Sequence, residues 1–217
     1  MKKIGVVLSG CGVRDGSEIH EAVCALLAID QAGAEAVCMA PDIELNEINH
    51  CTMEPTGAQR KVLVESARIA RGNIKDIAGV TAADLDAVVF PGGFGAALNL
   101  CDFAQKGAAA AVNPQVSRLV KEMHAAKKPI GAICIAPALI AAILGKEVGP
   151  TLTIGTDPAT AAEVEKTGAK HQNCPPTDCV IDQANKLVTT PAYMLAGRVS
   201  EIYEGIGKCV KKVVEMA

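Results

Sequence analysis

Residues 128–137, Lys-Pro-Ile-Gly-Ala-Ile-Cys-Ile-Ala-Pro, constrain this chain more than any other stretch. Ile130 and Ile133, with small residues between them, form the short continuous apolar run of a fully buried strand. Pro137 then opens an apolar helix, because proline is tolerated best in a first helical turn. Cys134 falls at the bend, where a helix N-terminus offers unpaired N–H groups and a positive dipole end that favour a thiolate. A strand-to-helix elbow of this kind exposes a nucleophile at the top of a parallel sheet. The competing reading is a cysteine packed as a small hydrophobe.

The rest of the chain repeats the same grammar. Short apolar runs at 4–8, 36–39, 86–90, 130–133 and 187–190 alternate with amphipathic stretches at 17–31, 62–71, 113–126 and 198–214. That alternation predicts βαβ units and a doubly wound, mostly parallel sheet with helices on both faces. The helix over 17–31 is expected to bury Ile19, Val23, Leu26 and Leu27, and residues 43–57 read as irregular and polar. With 217 residues, no linker and no internal repeat, residues 1–217 read as one domain. Trp is absent, so the core must come from Val, Ile, Leu and Ala.

Charge and cysteine usage bound the partners. A net charge of −3 and few aromatic side chains argue against nucleic acid and against an anionic membrane surface. The apolar run at 4–8 is too short for an export signal, although Leu8-Ser9-Gly10-Cys11 mimics a lipoprotein cleavage box. Nine cysteines form no Cys-x-x-Cys pair, and several sit inside apolar runs, which predicts reduced thiols and a cytoplasmic protein.

Three loops follow strands and are therefore expected at one sheet edge, where doubly wound folds bind ligands. These are residues 9–16, 91–95 and the bend at Cys134. Gly92 and Gly93 let backbone N–H groups approach a developing oxyanion, with Ile135 N–H as a further donor; an ordinary tight turn is the alternative. Asp15 and Glu18 have capping-box spacing, whereas Glu21 has no capping role and suits proton transfer beside a thiol. His171 follows a short strand and is a candidate for the same edge, while His20, His50 and His124 read as solvated or structural. His171, Cys174 and Cys179 do not complete a tetrahedral metal set. Gly10-x-Gly12 is followed by Gly16, one residue too late for a dinucleotide fingerprint.

Taken together, GSEIHEAV from Gly16, PGGFGAA from Pro91 and AICIAPA from Ala132 resemble the ThiJ/PfpI superfamily. KKIGVVLSGCGV from Lys2, LTIGTD from Leu152 and VTTPAYMLA from Val188 extend the likeness nearly end to end. They are most similar to its enhancing lycopene biosynthesis (ElbB) glyoxalase branch. The resemblance implies a flavodoxin-like fold and a catalytic set of Cys134 as nucleophile, Glu21 as its carboxyl partner, and Gly93 and Ile135 as oxyanion donors. It also implies a small aldehyde substrate such as glyoxal, no cofactor, and a homodimer. A non-enzymatic alternative is a cysteine redox sensor or a binding protein linked to isoprenoid metabolism. Ile135 stands where protease-like members carry a histidine, and no histidine has Glu two residues on, as an amidotransferase requires.

Overall fold

In the computed structural model, which describes residues 1–217, alternation of apolar side chains along each strand divides the core into two layers. Val7, Met39, Val88, Phe90, Ile130 and Ala132 face one layer. Ile4, Val6, Val89, Ile133 and Val188 face the other. Strands buried on both faces are what a parallel sheet covered by helices requires.

The elements run β1 (Lys3–Val7), α1 (Ile19–Gln31), β2 (Glu35–Ala40), β3 (Glu44–Asn49), β4 (Glu54–Lys61), α2 (Val62–Ile69), β5 (Lys75–Asp76) and β6 (Ala87–Phe90). They continue with α3 (Phe94–Leu98), α4 (Phe103–Lys106), α5 (Pro114–Ala125), β7 (Ile130–Ile133), α6 (Ala136–Val148), β8 (Thr151–Leu152) and α7 (Pro158–Lys166). The chain closes with β9 (Lys170–His171), β10 (Val180–Asp182), β11 (Leu187–Thr190) and α8 (Val199–Met216). The main sheet has the order β10-β11-β7-β6-β1-β2-β5, and only the β10–β11 pairing within it is antiparallel. This is the expected flavodoxin-like, doubly wound α/β fold.

Register positions the site. Phe90 pairs with Ala132 and Thr190 pairs with Ile133, so β6, β7 and β11 end together. Pro91–Gly93 and Pro191–Tyr193 therefore flank Cys134 at the carboxyl edge of the sheet, joined there by the loop that leaves β1.

Two local expectations are corrected. On α1 the buried face is Glu21, Ala22, Cys24, Ala25, Ala28 and Ile29, while Ile19, Val23 and Leu27 are exposed. Small side chains let α1 lie close to the sheet and α8, and the larger aliphatics are left outside. Residues 43–57, expected to be irregular, supply most of an antiparallel hairpin of β3 and β4 that pairs Leu45 with Arg60. Its strands are polar because β4 is exposed along its whole length, so no apolar alternation marked it.

Candidate active site

Cys134 occupies the bend between β7 and α6 with φ +63°, a left-handed conformation that costs a non-glycine residue energy and clusters at functional positions. Its N–H donates to the Thr190 carbonyl at 2.9 Å, which anchors the strained turn to the neighbouring strand. The residue is 7% exposed, and the backbone N–H groups of Gly93 and Ile135 face Sγ and favour its anion.

Glu21 reaches the same point from α1 and is fully buried. Its Oε2 accepts the Gly92 N–H at 3.0 Å, its Oε1 accepts the Tyr193 N–H at 3.2 Å, and it hydrogen-bonds the Cys134 thiol. Gly92 has no room for a side chain, since a Cβ there would meet Cys134 Cβ at 2.3 Å and Glu21 Oε2 at 2.5 Å. Gly93 adopts φ +92°, which only glycine takes readily.

Burial, followed by the nearby charge of Glu18, pushes the Glu21 carboxyl up to about 8, against the N–H groups of Tyr193 and Gly92 and the Cys134 thiol that favour its anion. Burial, followed by the Glu21 charge, pushes the Cys134 thiol well above the usual thiol range, with the N–H groups of Gly93 and Ile135 opposing. The helix dipole alone favours a thiolate, whereas desolvation opposes it and pushes both groups toward their protonated forms. Loss of one proton leaves a thiol–carboxyl pair with a single proton to share.

Cys134 opens into a cavity of 660 Å³ walled by Val13, Phe94, Ala97, Phe103, Ile135 and Met194, with Glu18, Lys106 and Glu163 as its charged side chains, while Glu21 lies behind the thiol. His171 does not line it. The His171 Nε2 instead accepts the Ile154 N–H at 3.2 Å, and its β9 position pairs with Leu152 of β8, which corrects its placement in the catalytic set. Asp15 is not the α1 cap either: its carboxylate accepts the Ile48 N–H at 2.9 Å, and Glu18 is itself the N-cap. Tyr193 went unrecognised as a site residue because its contribution to Glu21 is a backbone N–H, although VTTPAYMLA carries it. No group of three or more His, Cys, Asp or Glu side chains converges to hold a metal.

A sequence profile of the DJ-1/PfpI family matches residues 13–194, which contain the whole of this arrangement. The chain belongs to the DJ-1/PfpI family. Among its relatives, the rat "ES1 protein homolog, mitochondrial" is 46% identical across 99% of this chain and 84% of that protein. The human "Glutamine amidotransferase-like class 1 domain-containing protein 3, mitochondrial" is 45% identical across 99% of this chain and 83% of that protein. A solved structure from Ehrlichia chaffeensis, described as an isoprenoid biosynthesis protein with an amidotransferase-like domain, superposes with TM-score 0.94 at 35% identity, covering 100% of this chain and 99% of that one. Drosophila melanogaster DJ-1beta shares the DJ-1/PfpI fold with TM-score 0.58 at 20% identity, over 100% and 95% of the two chains. The cytoplasmic assignment is overturned, because the rat and human relatives are both named as mitochondrial proteins. Free thiols report a reducing environment, and a reducing environment does not identify a compartment.

Proposed function

We propose that this DJ-1/PfpI protein is a cofactor-independent glyoxalase of the ElbB branch, converting glyoxal to glycolate on Cys134. The supporting observation is the fully buried Glu21 carboxyl against the Cys134 thiol, with the N–H groups of Gly93 and Ile135 facing the sulfur. In the reactive form the pair holds one proton, which passes from sulfur to the Glu21 carboxylate as the thiol attacks. Sulfur adds to one aldehyde carbon, and Glu21 gives its proton to the oxygen, forming a hemithioacetal. The Glu21 carboxylate takes the C–H proton from the sulfur-bearing carbon, leaving an enediolate whose oxygen the N–H groups near Gly93 and Ile135 stabilise. Glu21 returns that proton to the neighbouring carbon, while the hydroxyl proton on the sulfur-bearing carbon passes to the neighbouring oxygen, giving a glycolyl thioester. Water attacks the thioester while Glu21 takes its proton, the thiolate leaves, and glycolate is released. The sum is glyoxal plus water to glycolic acid, with no net change in oxidation state.

No histidine lines the cavity, which argues against peptidase or amidotransferase chemistry needing a Cys–His pair. The test is steady-state glycolate formation from glyoxal by chelator-treated, desalted protein beside Cys134→Ser. Parent turnover with background activity in the variant supports the proposal, and equal rates exclude it.

The two N–H donors on Sγ also favour a second reading. They would hold the oxygens of an oxidised sulfur, so a redox-sensing role shares the site. The isoprenoid description of the Ehrlichia chaffeensis protein is the support for a link to that metabolism. A homodimer is the proposed assembly. Ile19, Val23 and Leu27 lie four residues apart on α1 and are 43%, 50% and 42% exposed, an apolar stripe of the kind that marks a protein interface.

A further inference from the structure

Glyoxal has two carbons and two oxygens, whereas the cavity over Cys134 encloses 660 Å³. Cavities of about 300–1,000 Å³ bury drug-sized ligands. Only the floor, at Gly93, Cys134 and Ile135, is needed for the thiol chemistry. The remaining wall is mostly apolar, and Phe94 is 41% exposed within it. The Arg14 guanidinium lies 4.6 Å from the centroid of the Phe94 ring, an attraction that fixes the ring as a wall.

The charged groups do not invite an anion. Lys106 is engaged by Asp102 at 2.5 Å, and Glu163 is engaged by Lys166 at 2.5 Å and by the Ala108 N–H at 3.0 Å. Glu18 brings negative charge near the floor. Lys106, the one cation lining the cavity, is thus already paired, and the Arg14 guanidinium lies against the Phe94 ring without lining the cavity, so a carboxylate or phosphate on the ligand would lose its water with little compensation.

We propose that this cavity takes a carbonyl compound with an uncharged apolar body several methylenes long, and that glyoxal fills only its floor. For the aldehyde step this rests on the glyoxalase reading; the ligand class rests on the cavity alone. An alkyl-substituted 2-oxoaldehyde meets both requirements.

The two claims separate experimentally. Cys134→Ser protein is loaded with an uncharged solvatochromic dye, which is displaced by straight-chain primary amides from propanamide to nonanamide. Affinity is expected to rise about fourfold per methylene until the cavity is full. The carboxylates of equal length are expected to bind at least ~10-fold more weakly than the amides. Ala104 and Ala159 line the outer cavity and are exposed, so Ala104→Trp and Ala159→Trp fill it without entering the core. Each should weaken nonanamide ~10-fold and leave propanamide unchanged. A flat amide series, or carboxylates that bind as well as amides, overturns the proposal even if glyoxal is turned over. A rising amide series supports it even if no aldehyde is turned over, in which case the glyoxalase reading alone fails.

Discussion

Glu18 Oε2 accepts the backbone N–H of Glu21 at 2.7 Å, so the residue that caps α1 also sets the electrostatics of the residue beside the thiol. The two carboxyls have different tasks. Glu18 satisfies a helix terminus and lines the cavity, whereas Glu21 is sealed against Cys134. Glu21→Gln keeps the shape and removes the proton carrier, so glycolate formation should fall ~100-fold or more. Glu18→Gln should keep most activity, because the proton carrier stays, and lose about 1 kcal/mol of stability with its cap. Steady-state rates with chemical unfolding curves check both, and equal activity losses would reassign the proton carrier.

The same pair predicts a pH profile. The reactive form needs one proton removed from a pair whose carboxyl is pushed up to about 8. Activity at low substrate should therefore rise about tenfold per pH unit from pH 6 and level off near the pKa of about 8. Burial is the main cause of the raised Glu21 pKa, and Glu18→Gln removes the nearby charge that adds to it, so the variant should move this limb to lower pH. A profile flat from pH 6 to 9 would show that Glu21 does not titrate in the rate-limiting step.

Stability should carry the opposite slope. The folded-state pKa of Glu21 lies above its ordinary value of 4.5, so below 4.5 both states hold the proton. Between 4.5 and about 8 the folded state holds a proton that the unfolded state has released, and stability falls with rising pH. The loss is on the order of 5 kcal/mol across the window if no other group compensates. Glu21→Gln should flatten this segment and be relatively more stable at pH 8 than at pH 5. Denaturant unfolding of parent and variant at the two pH values checks the sign.

Backbone crowding yields a further test. Gly92 donates its N–H to Glu21 and accepts the Glu18 N–H through its carbonyl at 2.9 Å, so it cannot retreat from a new methyl group. Gly92→Ala should cost about 1–3 kcal/mol through overpacking and displace Cys134. Loss of turnover with a fold intact by circular dichroism is the expected outcome, and retained turnover would show that the loop gives way.

Much of this was legible in the residues, and what was not has physical causes. The elbow at Cys134 could be read because a buried strand, a thiol and a helix-starting proline follow one another with no gap. The hairpin of β3 and β4 could not, because strands exposed to water carry no apolar alternation. The buried face of α1 was misread because Ala22, Ala25 and Ala28 signal burial weakly, while Ile19, Val23 and Leu27 signal it strongly and are outside. Cys134 illustrates the deeper limit. A helix dipole is visible in sequence as a position, whereas the desolvation that opposes it depends on residues brought in from α1 and from the loops after β6 and β11.

That limit has a consequence for labelling. Cys51 is exposed and should be alkylated by iodoacetamide before Cys134 at pH 7, where the Cys134 thiol keeps its proton. Cys134 labelling should climb as the pH passes 8, which peptide mapping over a pH series will show. Dominant Cys134 labelling at pH 6 would mean that the two N–H donors outweigh burial.

The central claim is a covalent bond between Cys134 and the carbon of the substrate. Acid quench during turnover with isotopically labelled glyoxal, followed by peptide mass spectrometry, tests it most directly, because a glycolyl thioester survives acid. The account predicts one labelled glyoxal unit on the peptide carrying Cys134 and none on the other eight cysteines. An unmodified Cys134 while labelled glycolate accumulates, or a label on another cysteine, would contradict it.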